Sequence, residues 1–217
     1  MNMEDRDTGT TIIAIAGGSC SGKTSLADAV AARLPAQDTI VVPLDSYYRD
    51  LSGLAVQMRS AHNFDHPGSV DLEMFERDLG LLASGRGALI PVYDYVTHTR
   101  APQEAWRAVG PRAPGTSRYV IVEGLHALYR ERSRDRYDLS VFIDIDLDTC
   151  LRRRIVRDVN ERGRTRAGVT EQFMKTVGPM YEKYVLPRRR YADLTVDGTA
   201  PAARSADAVV AALGRRG

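Results

Sequence analysis

Gly17, Gly18, Ser19, Cys20, Ser21, Gly22, Lys23 and Thr24 fit the spacing G-x-x-x-x-G-K-[ST]. Glycines in that pattern let backbone N–H groups converge on phosphate oxygens. The lysine reaches the β- and γ-phosphates of a nucleoside triphosphate, and the last hydroxyl is offered to Mg²⁺. The chain holds 30 basic residues but only three lysines (Lys23, Lys175 and Lys183), so a lysine on the required position is unlike the background. The implied ligands are ATP and Mg²⁺.

Other polar groups close apolar runs. Asp45 follows the run Thr39–Leu44, where a carboxylate can accept a proton or hold metal-bound water. A turn or helix-capping Asp is the plainer alternative. Glu123 follows Val120-Ile121-Val122, the position of an acid that orients Mg²⁺, or else of a turn residue. Asn63-Phe64-Asp65-His66-Pro67 and the stretch Pro91 to Arg100, with Tyr93, Tyr95 and His98, mix rings with polar groups. Such surfaces suit a flat, hydrogen-bonding ligand; an ordinary hairpin with surface tyrosines has the same composition. Arg152, Arg153, Arg154 and Arg157 crowd one helical segment, with Arg164 beyond it. They read either as a phosphate clamp or as a solvated charged face.

The elements that must position these groups alternate. Strands are expected at Thr11–Ala16, Thr39–Leu44, Tyr119–Val122, Leu139–Ile145 and Leu194–Val196. Helices are expected at Thr24–Leu34, Leu72–Ala83, Thr149–Glu161, Glu171–Val185 (kinked at Pro179) and Ala206–Leu213. Leu72, Phe75, Leu79 and Leu82 share one helical face; Leu151, Ile155 and Val159 form another apolar stripe. Continuous apolar strands alternating with helices imply an α/β fold, a parallel sheet covered on both faces. The phosphate loop lies between the first strand and first helix, where its chemistry requires it. Two β-like pieces between Ala88 and Val109 suggest a hairpin outside the sheet. The expectation is one domain over 11–217 with a lid insertion at about 88–114, after a frayed N-terminus over 1–10.

Composition sets bounds. A chain of 217 residues with 43% hydrophobic residues can bury a full core. The net charge of +2 points to neither a nucleic-acid nor a membrane partner. Cys20 and Cys150 make no disulfide framework, so a cytoplasmic location is expected. A GTPase would carry Asn-Lys-x-Asp, and neither Lys175 nor Lys183 follows an asparagine. A strand-tracking ATPase would need more positive charge. A kinase for a small hydroxyl-bearing molecule remains, with a nucleotide-sensing regulator as the other class.

Together, GGSCSGKTS, LDSYYR, NFDHPGSVD, PVYDYVTHTR, VEGLHAL, RRRIVRDVNERGRT and VLPRRRYADLTV resemble, in order, segments of the uridine kinase (uridine–cytidine kinase) family, within the phosphoribulokinase/uridine kinase group. The resemblance implies a P-loop core with a five-stranded parallel sheet and a β-hairpin lid. It implies ATP-dependent phosphorylation of a pyrimidine nucleoside 5′-hydroxyl, with Asp45 as general base and Lys23 and Arg154 at the phosphates. Thr24 and Glu123, with Asp45 nearby, would organise Mg²⁺. Asp65, helped by Arg157, would hold the ribose; Tyr93 and His98 would contact the base beside Phe64 and Tyr95; Arg164 and Gln172 would complete the acceptor site. Homo-oligomers, dimers or tetramers, and inhibition by pyrimidine triphosphates are implied too. The Glu-Gly-Leu-His run at 123–126 also resembles phosphoribulokinase, which keeps a sugar phosphate as the alternative acceptor.

Overall fold

The computed structural model describes residues 9–59, 61–111 and 118–215. The frayed end expected at 1–10 lies, as far as residue 8, outside the described residues, as does the lid arm from 112 onward. Thr10 is already in a strand, paired with Arg118.

The central sheet has five parallel strands: β1 (Thr10–Gly17), β2 (Thr39–Pro43), β7 (Arg118–Glu123), β8 (Leu139–Asp144) and β9 (Leu194–Asp197), in the order β2-β7-β1-β8-β9. Why β1 is apolar without alternation is visible in its packing. Ile12, Ala14 and Ala16 face a layer that includes α3 (Leu72–Ala83). Ile13 and Ile15 face the opposite layer, built on α1 (Lys23–Ala31) and α8 (Ala202–Gly214). Both faces are dry from Ile12 to Ala16, so every position there is apolar. The predicted stripe of α3 is buried as expected, with Leu72, Phe75, Leu79 and Leu82 each at 5% exposure or less. Asp71 caps that helix by accepting from the Met74 N–H at 3.2 Å.

The lid is more elaborate than a single hairpin. Strands β3 (Ala88–Ile90) and β6 (Arg107–Val109) pair antiparallel, and an inner pair, β4 (Tyr93–Asp94) and β5 (Thr99–Arg100), continues outward from them. Asp94 folds the tip by accepting from the N–H groups of Val96 and Thr97. Short helices α2 (Val56–Arg59) and α4 (Glu131–Arg134) flank the core.

Two expectations are corrected on the C-terminal side. Helix α5 (Leu147–Arg162) does not bury the stripe Leu151, Ile155 and Val159. It buries Cys150, Arg154 and Asp158, while Val159 is 40% exposed. Arg154 turns inward onto the Ser19 hydroxyl and Gln172, and Asp158 beneath it pairs with arginines of its own helix and of the loop beyond. The helix expected at Glu171–Val185 is not one α-helix. Helix α6 (Arg166–Gln172) passes into a π turn at Phe173–Val177, a short α7 (Gly178–Met180), a second π turn at Tyr181–Val185 and a 3₁₀ turn to Tyr191. Pro179 has no N–H for the carbonyl four residues back and its ring crowds that carbonyl, so the flanking turns widen.

Candidate active site

In an open α/β sheet the carboxyl ends of the strands form the ligand crevice. Here the register brings three of them together. Glu123 ends β7 with Pro43 of β2 as its partner on one side and Ile15 of β1 on the other. Asp45 sits just past β2 in a 3₁₀ turn, Leu44–Tyr47. The phosphate loop begins as β1 ends.

The loop wraps a cavity of about 560 Å³, within the ~300–1,000 Å³ usual for small-molecule sites. Ser19 to Thr24, Asp45, Glu123 and Arg157 all line it. Gly17 and Gly18 lie behind; a Cβ on Gly18 would sit 3.2 Å from the Tyr181 ring. Gly22 turns the chain into α1 with φ +102°, a backbone that side-chain-bearing residues rarely adopt. The Lys23 ammonium donates to the Gly18 carbonyl at 2.7 Å. The Thr24 hydroxyl donates to Glu123 Oε1 at 3.1 Å. A hydroxyl beside a carboxylate, with a second carboxylate on the same cavity, is the hard-oxygen donor set that suits Mg²⁺, an ion bound by one or two carboxylates plus phosphates and water.

Burial raises the pKa of Asp45 above the ordinary carboxylate value, opposed by the charges of Lys23 and Arg157 and by a hydrogen bond from Tyr48. Glu123 and Asp65 are raised for the same first reason. Three carboxylates near one ammonium therefore titrate as a coupled set.

Tyr48 was not anticipated as a site residue, and it joins the two halves. Its hydroxyl serves Asp45, and its ring meets Phe64 at 5.2 Å and Tyr93 at 5.4 Å. Beyond it the aromatic wall continues: His98 stacks on Phe64 at 4.8 Å and 27°, and Tyr95 meets Tyr93 edge-on at 5.5 Å. His98 has φ +56°, and burial lowers its pKa, so the ring is neutral near pH 7. The Tyr93 hydroxyl is buried without a hydrogen-bond partner among the described residues. Arg100 ties this wall to the turn that carries Asp45: its guanidinium donates to the carbonyls of Tyr47 and Tyr48 at 3.1 and 3.0 Å.

His126, of the Glu-Gly-Leu-His run, is only 3% exposed. Its Nε2 lies 3.0 Å from the Asp65 carbonyl, and burial lowers its pKa to about 4. A neutral ring there donates to that carbonyl and props up Asp65 from behind.

The arginines form the roof. Arg154 donates to the Ser19 hydroxyl at 2.8 Å and to Gln172 Oε1 at 3.2 Å, and Arg164 donates to the same Gln172 oxygen at 2.8 Å. Gln172 thus bridges Arg154 and Arg164. A second unanticipated element is the far wall of the cavity, made by Val196, Asp197, Gly198 and Ala200. Arg153 fastens it, donating to the Gly198 carbonyl at 2.9 Å. Nothing in the spacing of those small residues marks them; only the return of β9 beside β8 brings them to the loop.

A parallel sheet with a phosphate loop at its centre, an acid on the neighbouring strand end, an arginine roof and a hairpin lid defines a P-loop kinase. A profile of the Phosphoribulokinase / Uridine kinase family matches residues 12–203. The chain is 41% identical over 198 residues to the uridine kinase of Proteus mirabilis, covering 89% of this chain and 90% of that one. It is 39% identical over 202 residues to the uridine kinase of Chloroflexus aurantiacus, covering 93% of each. In structure it resembles a putative fructose transport system kinase from Silicibacter, with TM-score 0.69, 24% identity and coverage of 90% and 93%, a likeness of fold. The chain belongs to the phosphoribulokinase/uridine kinase family.

Proposed function

We propose that the protein transfers the γ-phosphoryl group of ATP to the 5′-hydroxyl of uridine or cytidine. The observation that carries this reading is the join at Tyr48: a carboxylate on the phosphate cavity runs directly into a wall of packed rings. One end suits phosphoryl transfer, and the other suits a planar base. The full-length relatives named uridine kinase support it.

Asp45 accepts the 5′-hydroxyl proton as that oxygen bonds to the γ-phosphorus. The bond from phosphorus to the β,γ-bridging oxygen breaks, and ADP leaves. Lys23, Arg154 and Arg157 meet the charge spread over the transferring group. Thr24 and Glu123, with Asp45 near, would hold Mg²⁺, which when bound would supply positive charge to the phosphates. Asp65 receives the ribose hydroxyls with Arg157 beside it, and Tyr93 and His98 meet the base, flanked by Phe64 and Tyr95. Arg164 and Gln172 fix the edge of the acceptor pocket. The lid hairpin excludes water, so that ATP is not simply hydrolysed.

The setting this implies is cytoplasmic pyrimidine salvage by a homo-oligomer. Both cysteines are free, which suits a reducing compartment, and among the described residues no helix is long and apolar enough to cross a membrane.

The test is ADP release with ATP and Mg²⁺, with and without uridine, cytidine, adenosine and ribulose 5-phosphate. Strong stimulation by the two pyrimidine nucleosides alone is expected. Stimulation by ribulose 5-phosphate instead would overturn the acceptor assignment. A second measurement isolates the aromatic wall. Asn tolerates the left-handed backbone of residue 98 but has no ring. His98→Asn is therefore expected to raise the KM for uridine by roughly 10-fold, the equivalent of ~1.4 kcal/mol of lost stacking and hydrogen bonding. The KM for ATP stays unchanged; an equal rise in both would remove His98 from the acceptor pocket.

A further inference from the structure

Asp158 is fully buried on α5, at 0% exposure, in a segment whose spacing advertises only arginines. Its carboxylate gathers four of them. Arg157 grips Oδ1 with Nε at 2.9 Å and Nη2 at 2.8 Å. Arg162 stands 3.7 Å from the same oxygen. Arg164 reaches Oδ2 at 3.3 Å, and Arg154 approaches it at 3.6 Å. The Asp158 main-chain carbonyl also accepts from the N–H of Arg164 at 3.1 Å, across the left-handed Gly163 that ends the helix. One residue therefore fixes both the side chains and the backbone of the roof.

We propose that Asp158 is the positioning residue of the arginine roof, acting on phosphoryl transfer through Arg154 and Arg157 rather than by touching a substrate. The proposal rests on the kinase reading above.

Four guanidiniums on a helix and the loop beyond it repel one another and, left alone, splay toward solvent. A single carboxylate beneath them removes one charge of four and leaves a positive surplus, which Arg157 brings to the cavity wall and Arg154 to the phosphate loop. That surplus suits a polyphosphate. The geometry also has direction. Arg154 extends from Asp158 to the Ser19 hydroxyl of the phosphate loop, and Arg157 lines the cavity itself. Arg154 and Arg164 converge on Gln172, so the carboxylate sets the arginine that meets the loop and the residue placed at the acceptor edge. A buried carboxylate kept only for stability would be a poor choice, since burying charge costs as much as pairing returns. Arranging several charges is what it does well.

The experiment is a double-mutant cycle of Asp158→Asn and Arg157→Ala, read as kcat and KM for ATP and uridine, with thermal unfolding of each variant. Asparagine keeps the size and an acceptor but removes the charge. Asp158→Asn is expected to fold and to lower kcat by roughly 30-fold, the scale on which outer residues orient a reactive group, with the KM for uridine within about threefold. Adding it to Arg157→Ala is expected to cost no more than a further threefold or so, because the arginine it aims is gone. Losses that multiply, or a kcat close to the parent value in Asp158→Asn, would overturn the proposal. If Arg157→Ala is itself silent while the parent phosphorylates uridine, the arginine roles fall and Asp158 with them, yet the kinase reading stands. If Asp158→Asn does not fold, the same cycle is run in an Arg162→Gln background, which removes one exposed surplus charge; the same non-additivity is expected there, and additivity overturns the proposal.

Discussion

Replacing Asp45 by asparagine is expected to leave ATP binding intact and to lower turnover by about 10³-fold, within the range for loss of a general base. The carboxylate lines the phosphate cavity but belongs to a different strand end from the loop, so its removal does not dismantle the cradle. The pH profile tests whether Asp45 must be deprotonated for turnover. Burial raises the Asp45 pKa, and Lys23, Tyr48 and Arg157 pull it back only in part. The base works when deprotonated, so activity is lost as pH falls through that raised value. The acid limb of kcat/KM is therefore expected above the ordinary carboxylate range. Asp65 and Glu123 are raised too, and the limb belongs to the coupled set. In Asp45→Asn one member of that set is gone, and the residual activity should lose its limb or show it displaced. Turnover near the parent value, or a limb unchanged in position, would place the base elsewhere. ATP binding measured by titration calorimetry controls for damage to the cradle.

Much of this arrangement was legible in the sequence because it rests on short-range rules. The phosphate loop announces itself by spacing, and the strand ends by an acid after an apolar run. Both faces of β1 are covered, which an unbroken apolar run already implied. The order of motifs named candidate acceptor residues, and the fold sets Phe64, Tyr93, Tyr95 and His98 along one wall. What escaped depends on position in space. Tyr48 follows a tyrosine buried against Phe75 at 5.3 Å and looks no different from it in sequence. The stripe Leu151, Ile155 and Val159 has the period of a buried face, yet the helix buries Arg154 and Asp158 instead, because there the chain meets the phosphate loop. The i, i+4 spacing of Arg154 and Asp158 was the available signal, and such pairs are ordinarily solvated. The lid looked like one hairpin because four strands of two or three residues are too short for period to show. The role of His126 was the least readable of all: its type fits an acceptor site, and only the fold points it at the back of Asp65.

Substituting Lys23 by alanine is expected to damage a different part of the reaction, and in a way that reaches Asp45. Turnover should fall by about 10²–10³-fold with a rise of roughly tenfold in the KM for ATP, since a charge on the transferring phosphoryl group is lost along with a contact in the ground state. The ammonium is held at 2.7 Å on the Gly18 carbonyl, a bond inside the loop that alanine cannot make, yet Gly22 and the first turn of α1 keep the loop's course. Lys23 also lowers the pKa of Asp45, Asp65 and Glu123. Without its charge those carboxylates hold their protons to higher pH. The sign follows: in Lys23→Ala the acid limb of the residual activity moves up, whereas in Asp45→Asn it is lost or displaced for want of the base. Lysine replaced by arginine would keep the charge but present a planar fork where a compact ammonium fits, so Lys23→Arg should restore the limb more fully than it restores turnover. Measuring kcat/KM against pH for the three variants decides the matter. A limb in Lys23→Ala that coincides with that of the parent would mean that the ammonium and the base do not share one site, and the placement of Asp45 on the phosphate cavity would carry no catalysis.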